Sequence, residues 1–258
     1  MAPKSKTSQS TIKKQLPAEK DDQSKPAWPA LSPSIPVDDL TFHVLLPDQI
    51  LTIGNLWSSN LCKKYTNFLA TLPLTTTPSK AKRGDAVRVN DRFQINDAAY
   101  AARLWTQTAL KQMLEHPVIN GERLDDAQTS ALWGGELLGL NANVRVYRYK
   151  MGQFFDKHYD ESNNVDFITA EGTAIPAKTT WTLLLYLSSP TTGCQGGETV
   201  FYPEAKSKRE PTPAPVVADL EVGTVLLHRH GADCLLHEGR EVTAGEKWVI
   251  RSDICVRR

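Results

Sequence analysis

Residues 149–160 read Tyr-Lys-Met-Gly-Gln-Phe-Phe-Asp-Lys-His-Tyr-Asp and end in a His-x-Asp pair, His158 and Asp160. Residues i and i+2 of a strand point to the same face, so an imidazole nitrogen and a carboxylate oxygen can meet at one point. A second histidine would complete a metal site of two histidines and one carboxylate with open positions. A His-x-Asp pair alone also occurs at exposed strand ends, so the prediction of a metal site depends on the downstream sequence.

The sequence around this segment predicts a β-rich domain. From Asn143 onward, short runs rich in β-branched and aromatic residues are separated by turn residues. The runs are 143–150, 154–159, 181–188, 198–202, 214–220, 223–229, 234–237 and 246–255. About eight strands at this spacing, without long helices among them, predict a two-sheet jelly roll or barrel.

The preceding residues carry helical patterns. Two short strands are predicted first, and helices follow from Ser58 or Ser59 to about Ala70, from Asn96 or Asp97 to near Pro117, and over residues 125–133. Because these helices precede the strands, they should pack on one outer face of the β-structure as support. We expect an α+β, mainly β domain over residues 37–258, with helical support over 37–140 and a jelly-roll core over 141–258.

The first 36 residues differ in composition from the rest of the chain. They are rich in Lys, Ser, Gln and Pro and poor in large apolar residues, which predicts a disordered tail over residues 1–36. Its segment 26–36 contains four prolines, which favour an extended polyproline conformation. One hypothesis is that this segment docks in the substrate site of its own or a neighbouring molecule.

Composition excludes several classes of partner. The formal net charge of +1 indicates no field that would attract nucleic acid or an anionic membrane. The sequence has no apolar run of the length that a membrane helix needs and no apolar secretory segment at its start. Four cysteines without CxxC spacing are expected to be free thiols. These features predict a cytoplasmic or nuclear protein.

The downstream sequence offers the missing ligand and a buried cation. His237 follows apolar residues, and Lys247 stands ten residues later at the start of an apolar strand. An ammonium there is costly unless an anion pairs with it, and that anion is either a small-molecule carboxylate or a structural Asp or Glu. Two other histidines, His228 and His230, form a competing His-x-His pair. We favour His237 because the lysine follows it, and the roles of the other two stay open.

Four motifs in this order resemble a known family. They are Tyr149-x-x-Gly152-x-x-Phe155-x-x-His158-x-Asp160, Thr182-x-x-x-Tyr186-Leu187, Gly196-Gly197-Glu198-Thr199-x-Phe201, and His237 with Gly245-x-Lys247-Trp248. The sequence over about 143–255 looks like the catalytic domain of Fe(II)/2-oxoglutarate dioxygenases and is most similar to prolyl 4-hydroxylases. The resemblance implies a double-stranded β-helix, Fe(II), the cosubstrates 2-oxoglutarate and O₂, and ascorbate as reductant.

The resemblance also implies roles for single residues. It makes His158, Asp160 and His237 the iron ligands, and it pairs Lys247 with the distal carboxylate of 2-oxoglutarate. Beside that carboxylate it places Tyr186, Thr182 and Tyr149. Candidate substrate contacts are Arg251, Trp248 and Arg92.

Two departures from the prolyl hydroxylase pattern concern the substrate. The family usually has an arginine where this chain has Thr179, and often a tryptophan where it has Asp253. The first interpretation is hydroxylation of proline in a peptide or protein. The alternatives are the same chemistry on another side chain or a small metabolite, and a catalytically silent jelly-roll binding module.

Overall fold

The computed structural model describes residues 25–77, 86–205, 207 and 209–258. Within them the α-helices are α1 (Ser59–Leu69), α2 (Ala98–Thr106), α3 (Leu110–Glu115) and α4 (Asp126–Trp133). The strands are β1 (Phe42–Leu46), β2 (Ile50–Ile53), β3 (Thr75–Thr76), β4 (Arg88–Val89), β5 (Asp91–Asn96), β6 (Val118–Ile119), β7 (Glu122–Arg123), β8 (Leu137–Leu140), β9 (Asn143–Lys150), β10 (Phe154–His158), β11 (Asn164–Ile168), β12 (Ala174–Tyr186), β13 (Gln195–Gly196), β14 (Thr199–Tyr202), β15 (Val216–Ala218), β16 (Val225–Arg229), β17 (Leu236–Gly239), β18 (Val242–Ala244) and β19 (Glu246–Arg257).

Two large antiparallel sheets form most of the β-structure of the described residues, and β13-β18 and β6-β7 form two small two-stranded sheets. The major sheet has the order β1-β2-β16-β12-β19-β9-β5-β3, with β11 also paired to β12 and β8 to β19. The minor sheet has the order β15-β14-β17-β10-β4. Several neighbours in both sheets, such as β2 with β16 and β10 with β17, are far apart in sequence, as expected for a jelly roll. The predicted double-stranded β-helix is confirmed.

The alternation of side chains along the major sheet produces two cores. On β12, Trp181, Leu183 and Leu185 join the core beneath the helices. Thr182 and Tyr186 alternate with them, and Tyr186 lies in the second core, between the two sheets. The space between the sheets is therefore lined by every second residue of each strand.

Local sequence accounts for the helix boundaries. Ser58 accepts the Leu61 amide and caps α1, and Asp97 accepts the Tyr100 amide and caps α2. The helix predicted to run from Asp97 to Pro117 is divided into α2 and α3. The hydroxyl groups of Thr106 and Thr108 donate to carbonyl groups four residues earlier, which bends helices and favours a break. None of the described helices has the length and apolar character needed to cross a membrane.

Residues 25–36 correct the prediction that disorder extends to residue 36. Trp28 is 8% exposed, its ring stacks on Tyr100 with centroids 3.9 Å apart, and its indole N–H donates to Asp97 at 2.9 Å. The Tyr65 hydroxyl donates to the Pro29 carbonyl. These contacts hold the proline-rich segment against α1 and α2 of its own domain and not in the space between the sheets. Residues 1–24, which include most of the predicted tail, lie outside the described residues.

Candidate metal centre

Two histidines face each other across a pair of strands in the minor sheet. His158 at the end of β10 is directly opposite His237 on β17, and their ring centroids are 4.2 Å apart. Asp160 follows two residues after His158, and its carboxylate oxygens lie 3.7 Å from His158 Nε2 and 3.8 Å from His237 Nε2. One donor atom from each of the three residues lies within 4.8 Å of the other two. The structure brings together the three residues that the sequence predicted.

Backbone contacts orient both imidazoles. The Nδ1 atoms of His158 and His237 lie 2.8 and 2.9 Å from the carbonyl oxygens of Asp156 and Leu235, each two residues earlier in the chain. A proton on Nδ1 that donates to the carbonyl leaves the lone pair of Nε2 toward Asp160, the arrangement that metal-binding histidines adopt. Burial, together with the neighbouring His237, lowers the pKa of His158 to about 4, so this ring is neutral at neutral pH.

The carboxylate of Asp160 is held on both oxygens. Oδ2 accepts from the Thr182 hydroxyl at 2.8 Å, and Arg251 contacts Oδ1 at 3.2 Å and Oδ2 at 3.0 Å. Burial alone would raise the pKa of the Asp160 carboxyl, but Arg251 and the surrounding imidazoles hold it well below its usual range. Asp160 is therefore an anion with a fixed orientation, as a metal ligand must be.

His228 and His230, whose roles the sequence left open, lie beside this cluster. His228 is 2% exposed, and its Nε2 lies 3.7 Å from Asp160 Oδ2 without a hydrogen-bond partner among the described residues. His230 lies 3.0 Å from the Thr182 hydroxyl through Nδ1 and 3.0 Å from the Thr179 hydroxyl through Nε2. Because the Thr182 hydroxyl donates to Asp160, His230 donates to Thr182 and orients it. His228 therefore faces the candidate metal site, and His230 supports it from behind.

Lys247 occupies a second pocket between the sheets. It is 5% exposed, donates to the Gly197 carbonyl at 2.6 Å, and lies 5.6 and 5.3 Å from the ring centroids of Tyr149 and Tyr186. In the described part of the chain no carboxylate lies within 4.0 Å of its ammonium group. Burial lowers the pKa of Lys247 to about 8. A buried ammonium without an anion suits a ligand carboxylate.

Gly197 makes room for this lysine. Its φ angle is +77°, in the region that favours glycine, and a Cβ there would lie 3.2 Å from Lys247 Cδ. The neighbouring Tyr186 hydroxyl is 2.7 Å from Thr199 Oγ1. The predicted Gly196-Gly197 turn therefore does more than connect two strands, because it lets the lysine stem pass.

Three of the other predicted site residues lie elsewhere than expected. Trp248 alternates with Lys247 on β19 and packs in the core beneath the helices at 2% exposure, so its prediction as a substrate contact is wrong. Thr182 contacts Asp160 and not the lysine pocket. Arg251, predicted as a substrate contact, contacts the candidate ligand Asp160 directly. Arg92 lies on β5 opposite Tyr147, toward the space between the sheets.

Known proteins share this architecture. Residues 144–252 match the family model of the 2OG-Fe(II) oxygenase superfamily, where 2OG stands for 2-oxoglutarate. A search of curated protein sequences finds no match. The structure resembles a viral collagen prolyl hydroxylase from Paramecium Bursaria Chlorella virus-1 in its 2OG complex, with 18% identity, TM-score 0.50, and coverage of 83% of this chain and 99% of that chain.

Two further solved structures are similar in fold. A Pseudomonas putida prolyl-4-hydroxylase is 13% identical with TM-score 0.52, over 86% of this chain and 97% of that chain. A Trichoplax adhaerens prolyl hydroxylase, solved with a hypoxia inducible factor peptide fragment, is 14% identical with TM-score 0.51, over 81% and 84%. The segment that matches the family model contains His158, Asp160, His237 and Lys247.

Proposed function

Because the chain carries a domain of the 2OG-Fe(II) oxygenase superfamily, we propose that it hydroxylates a peptide or protein and that His158, Asp160 and His237 bind its iron. The observation that carries the proposal is the convergence of these three donors, with a buried lysine that lacks a counter-ion in the same space between the sheets. Two neutral imidazoles and one carboxylate suit Fe(II) and leave coordination positions open.

The residues around the proposed metal site orient its ligands and exclude water. Bound iron would supply the reaction of 2OG with O₂, in which CO₂ is released, one oxygen atom enters succinate and the other hydroxylates the substrate, while ascorbate would keep the iron in the Fe(II) state. Thr182 and Arg251 orient the Asp160 carboxylate, and His230 orients Thr182. The closely packed aromatic rings of Phe155 and Phe201, which stack on His158 and His237, exclude water from the ligands.

Lys247 is the proposed partner of the distal carboxylate of 2OG. Its ammonium is buried and has Tyr149 and Tyr186 on either side, so a carboxylate in this pocket would receive a charge-assisted hydrogen bond in a dry environment. Tyr186 and Thr199 share a hydrogen bond and present the nearest hydroxyl groups on the strand side. Lys247 thus selects a dianionic cosubstrate, while the metal ligands hold its other end.

Proline is the first candidate for the hydroxylated residue. The support is the order and spacing of the four sequence motifs, which resemble those of prolyl 4-hydroxylases. A different side chain or a small metabolite is the second candidate, and the two departures from the pattern favour it. Thr179 is fully buried, and Asp253 is 1% exposed and paired with Arg145, so neither reaches a peptide. No observation favours a silent binding module.

Succinate formation from 2OG tests the proposal. The protein is assayed with Fe(II) and ascorbate, with and without a panel of proline-containing peptides, and His158→Ala serves as the blank. We expect peptide-stimulated turnover and a gain of one oxygen mass on proline. Turnover that peptides leave unchanged would support the second candidate, and none above the blank would overturn the enzyme.

A second measurement tests the ligand set. Mn(II) binding by the apoprotein should be lost in His237→Ala and retained in His228→Ala, because the donor group that contains both His158 and Asp160 includes His237, whereas His228 is grouped with Cys234 and His237. Loss in His228→Ala with retention in His237→Ala would reverse the assignment.

A further inference from the structure

Four arginines on the two sheets face the space between them. On the major sheet, Arg92 is opposite Tyr147 on β9, and Arg145 is opposite Arg251 on β19. On the minor sheet, Arg88 is opposite Phe155 on β10. Directly paired residues of antiparallel strands point to the same face, and Tyr147 and Phe155 pack in the core between the sheets. The four arginine side chains therefore face the same space, Arg88 from the minor sheet and the other three from the major sheet, and we call this set the arginine wall.

Only part of this charge is neutralised by the protein. Arg251 is paired with Asp160 and Asp253, and Arg145 with Asp253. Arg88 and Arg92 have no carboxylate within 4.0 Å in the portion of the chain that is described, although both are half-buried. Burial, together with the neighbouring charges of Arg88 and Arg145, lowers the pKa of Arg92. Crowded, half-buried cations without counter-ions are costly to the fold.

The uncompensated arginines lie next to the reaction centre. The Arg88 guanidinium is 5.0 Å from the centroid of the Phe155 ring and 5.5 Å from that of Tyr147. Phe155 in turn stacks on His158, with centroids 3.5 Å apart and planes 16° apart. A single aromatic ring therefore separates Arg88 from His158, a proposed iron ligand.

We propose that the substrate of this enzyme is an acidic peptide, and that an anionic side chain beside the hydroxylated residue binds the guanidinium groups of Arg88 and Arg92. This inference rests on the proposed function and names the substrate class of the same site. The metal and the cosubstrate do not neutralise the charge of the arginine wall. Lys247 is the proposed partner of the distal carboxylate of 2OG, and the metal adds positive charge. The planar, forked donors of arginine match a carboxylate or phosphate in a bidentate manner.

The pair Arg88 and Arg92 also explains the two departures from the prolyl hydroxylase pattern. Where that pattern has an arginine and a tryptophan for the peptide, this chain has Thr179, which supports His230, and Asp253, which binds Arg145 and Arg251. Asp253 thus holds two members of the arginine wall in place. The two arginines without a carboxylate partner among the described residues, Arg88 and Arg92, lie on β4 and β5. Substrate contacts are present, but they come from different strands.

Peptides that differ only in charge test the inference. Proline-containing peptides with Glu, Gln or Lys beside the proline are compared for KM in the coupled succinate assay with the full chain. Charge-assisted hydrogen bonds predict a KM for the Glu peptide that is lower by roughly tenfold or more than that for the Gln peptide, and a difference that shrinks with added salt. Arg88→Gln and Arg92→Gln should each reduce this ratio, while the KM for 2OG stays within about twofold. Arg123→Gln, an exposed arginine on β7, is the matched control and should leave the ratio unchanged.

A charge reversal guards against misfolded variants. Arg92→Glu should lose the preference for the Glu peptide and gain one for the Lys peptide, which a damaged fold could not produce. Equal stimulation by all three peptides would overturn the acidic substrate and leave the proposed hydroxylase intact. Stimulation by a small anion such as N-acetylglutamate, without any peptide, would support the anion site and overturn the peptide substrate. Stimulation only by a single-stranded oligonucleotide would overturn both.

Discussion

Replacing Lys247 by Met should weaken cosubstrate binding while leaving the folding stability equal or higher. The side chain is 5% exposed, and its ammonium donates to the Gly197 carbonyl without a carboxylate nearby in the described residues. Its pKa falls from 10.5 to about 8, which corresponds to roughly 3 kcal/mol of lost stabilisation of the charged form. Met has a similar length and no charge, so the variant should be as stable as the parent or more stable.

The same substitution should greatly weaken 2OG binding. A buried carboxylate that loses its only cation costs about 3–5 kcal/mol, or roughly a hundredfold to a few thousandfold in Kd. The measurement is 2OG binding by titration calorimetry with Mn(II) in the place of Fe(II), alongside the melting temperature of the metal-free protein. Mn(II) affinity without 2OG should not change, because Lys247 is not among the three donors.

Lys111→Met is the matched control, since Lys111 lies on α3 and pairs only with Glu115 at the surface. It should leave both quantities unchanged. A Lys247→Met variant that binds 2OG as tightly as the parent would refute the assignment of the pocket. A variant whose melting temperature falls by many degrees would refute the claim that the buried charge is uncompensated.

Three further outcomes follow from the structure. Thr182→Val removes the hydroxyl that orients Asp160 and should weaken Mn(II) binding roughly tenfold. Thr180→Val should not, because a β-bulge between Thr179 and Trp181 turns the Thr180 hydroxyl to the Trp133 carbonyl; equal effects in the calorimetric titration would contradict this role. The charged form of Lys247 binds 2OG, and the pKa of Lys247 is about 8, so the affinity for 2OG should be constant at lower pH and fall about tenfold per pH unit above 8. Lys247→Arg should remove this pH dependence. An affinity of the parent protein that does not change with pH would argue against the lysine. Trp28→Ala should lower the free energy of unfolding by roughly 3–5 kcal/mol in urea denaturation, and a loss below 1 kcal/mol would show that residues 25–36 are not held by the helices.

Several features of the fold could be predicted because they depend on local periodicity. The caps at Ser58 and Asp97 begin α1 and α2 as the sequence indicates, and the run 143–150 coincides with β9. The division between α2 and α3 and the hairpin of β11 with β12 could not be predicted in this way. Threonine hydroxyls cause the first by bonding within the helix, and β11 has only five residues, none of them buried.

The positions of individual tryptophan side chains were harder to predict from the sequence than the helices and strands. The disordered tail is predicted from the average composition of 36 residues. Trp28 alone nevertheless buries enough surface to attach its segment to Tyr100 and Asp97. Trp248 is predicted as a substrate contact, yet it follows Lys247 on β19, and neighbours on a strand point to opposite faces. The alternation of side chains along a strand therefore predicts that Lys247 and Trp248 lie on opposite faces of the sheet.

The sequence by itself determined the proposed chemistry: His158 with Asp160 at a spacing of two, and His237 with Lys247 at a spacing of ten, carry the metal and cosubstrate prediction without any structure. Only the tertiary structure decided what surrounds them. Asp160 is held by Thr182 and Arg251, which come from β12 and β19, and Arg88 and Arg92 come from opposite sheets. Such contacts depend on the register of strands that are distant in the chain, and register is set by packing of the whole β-structure and not by local sequence.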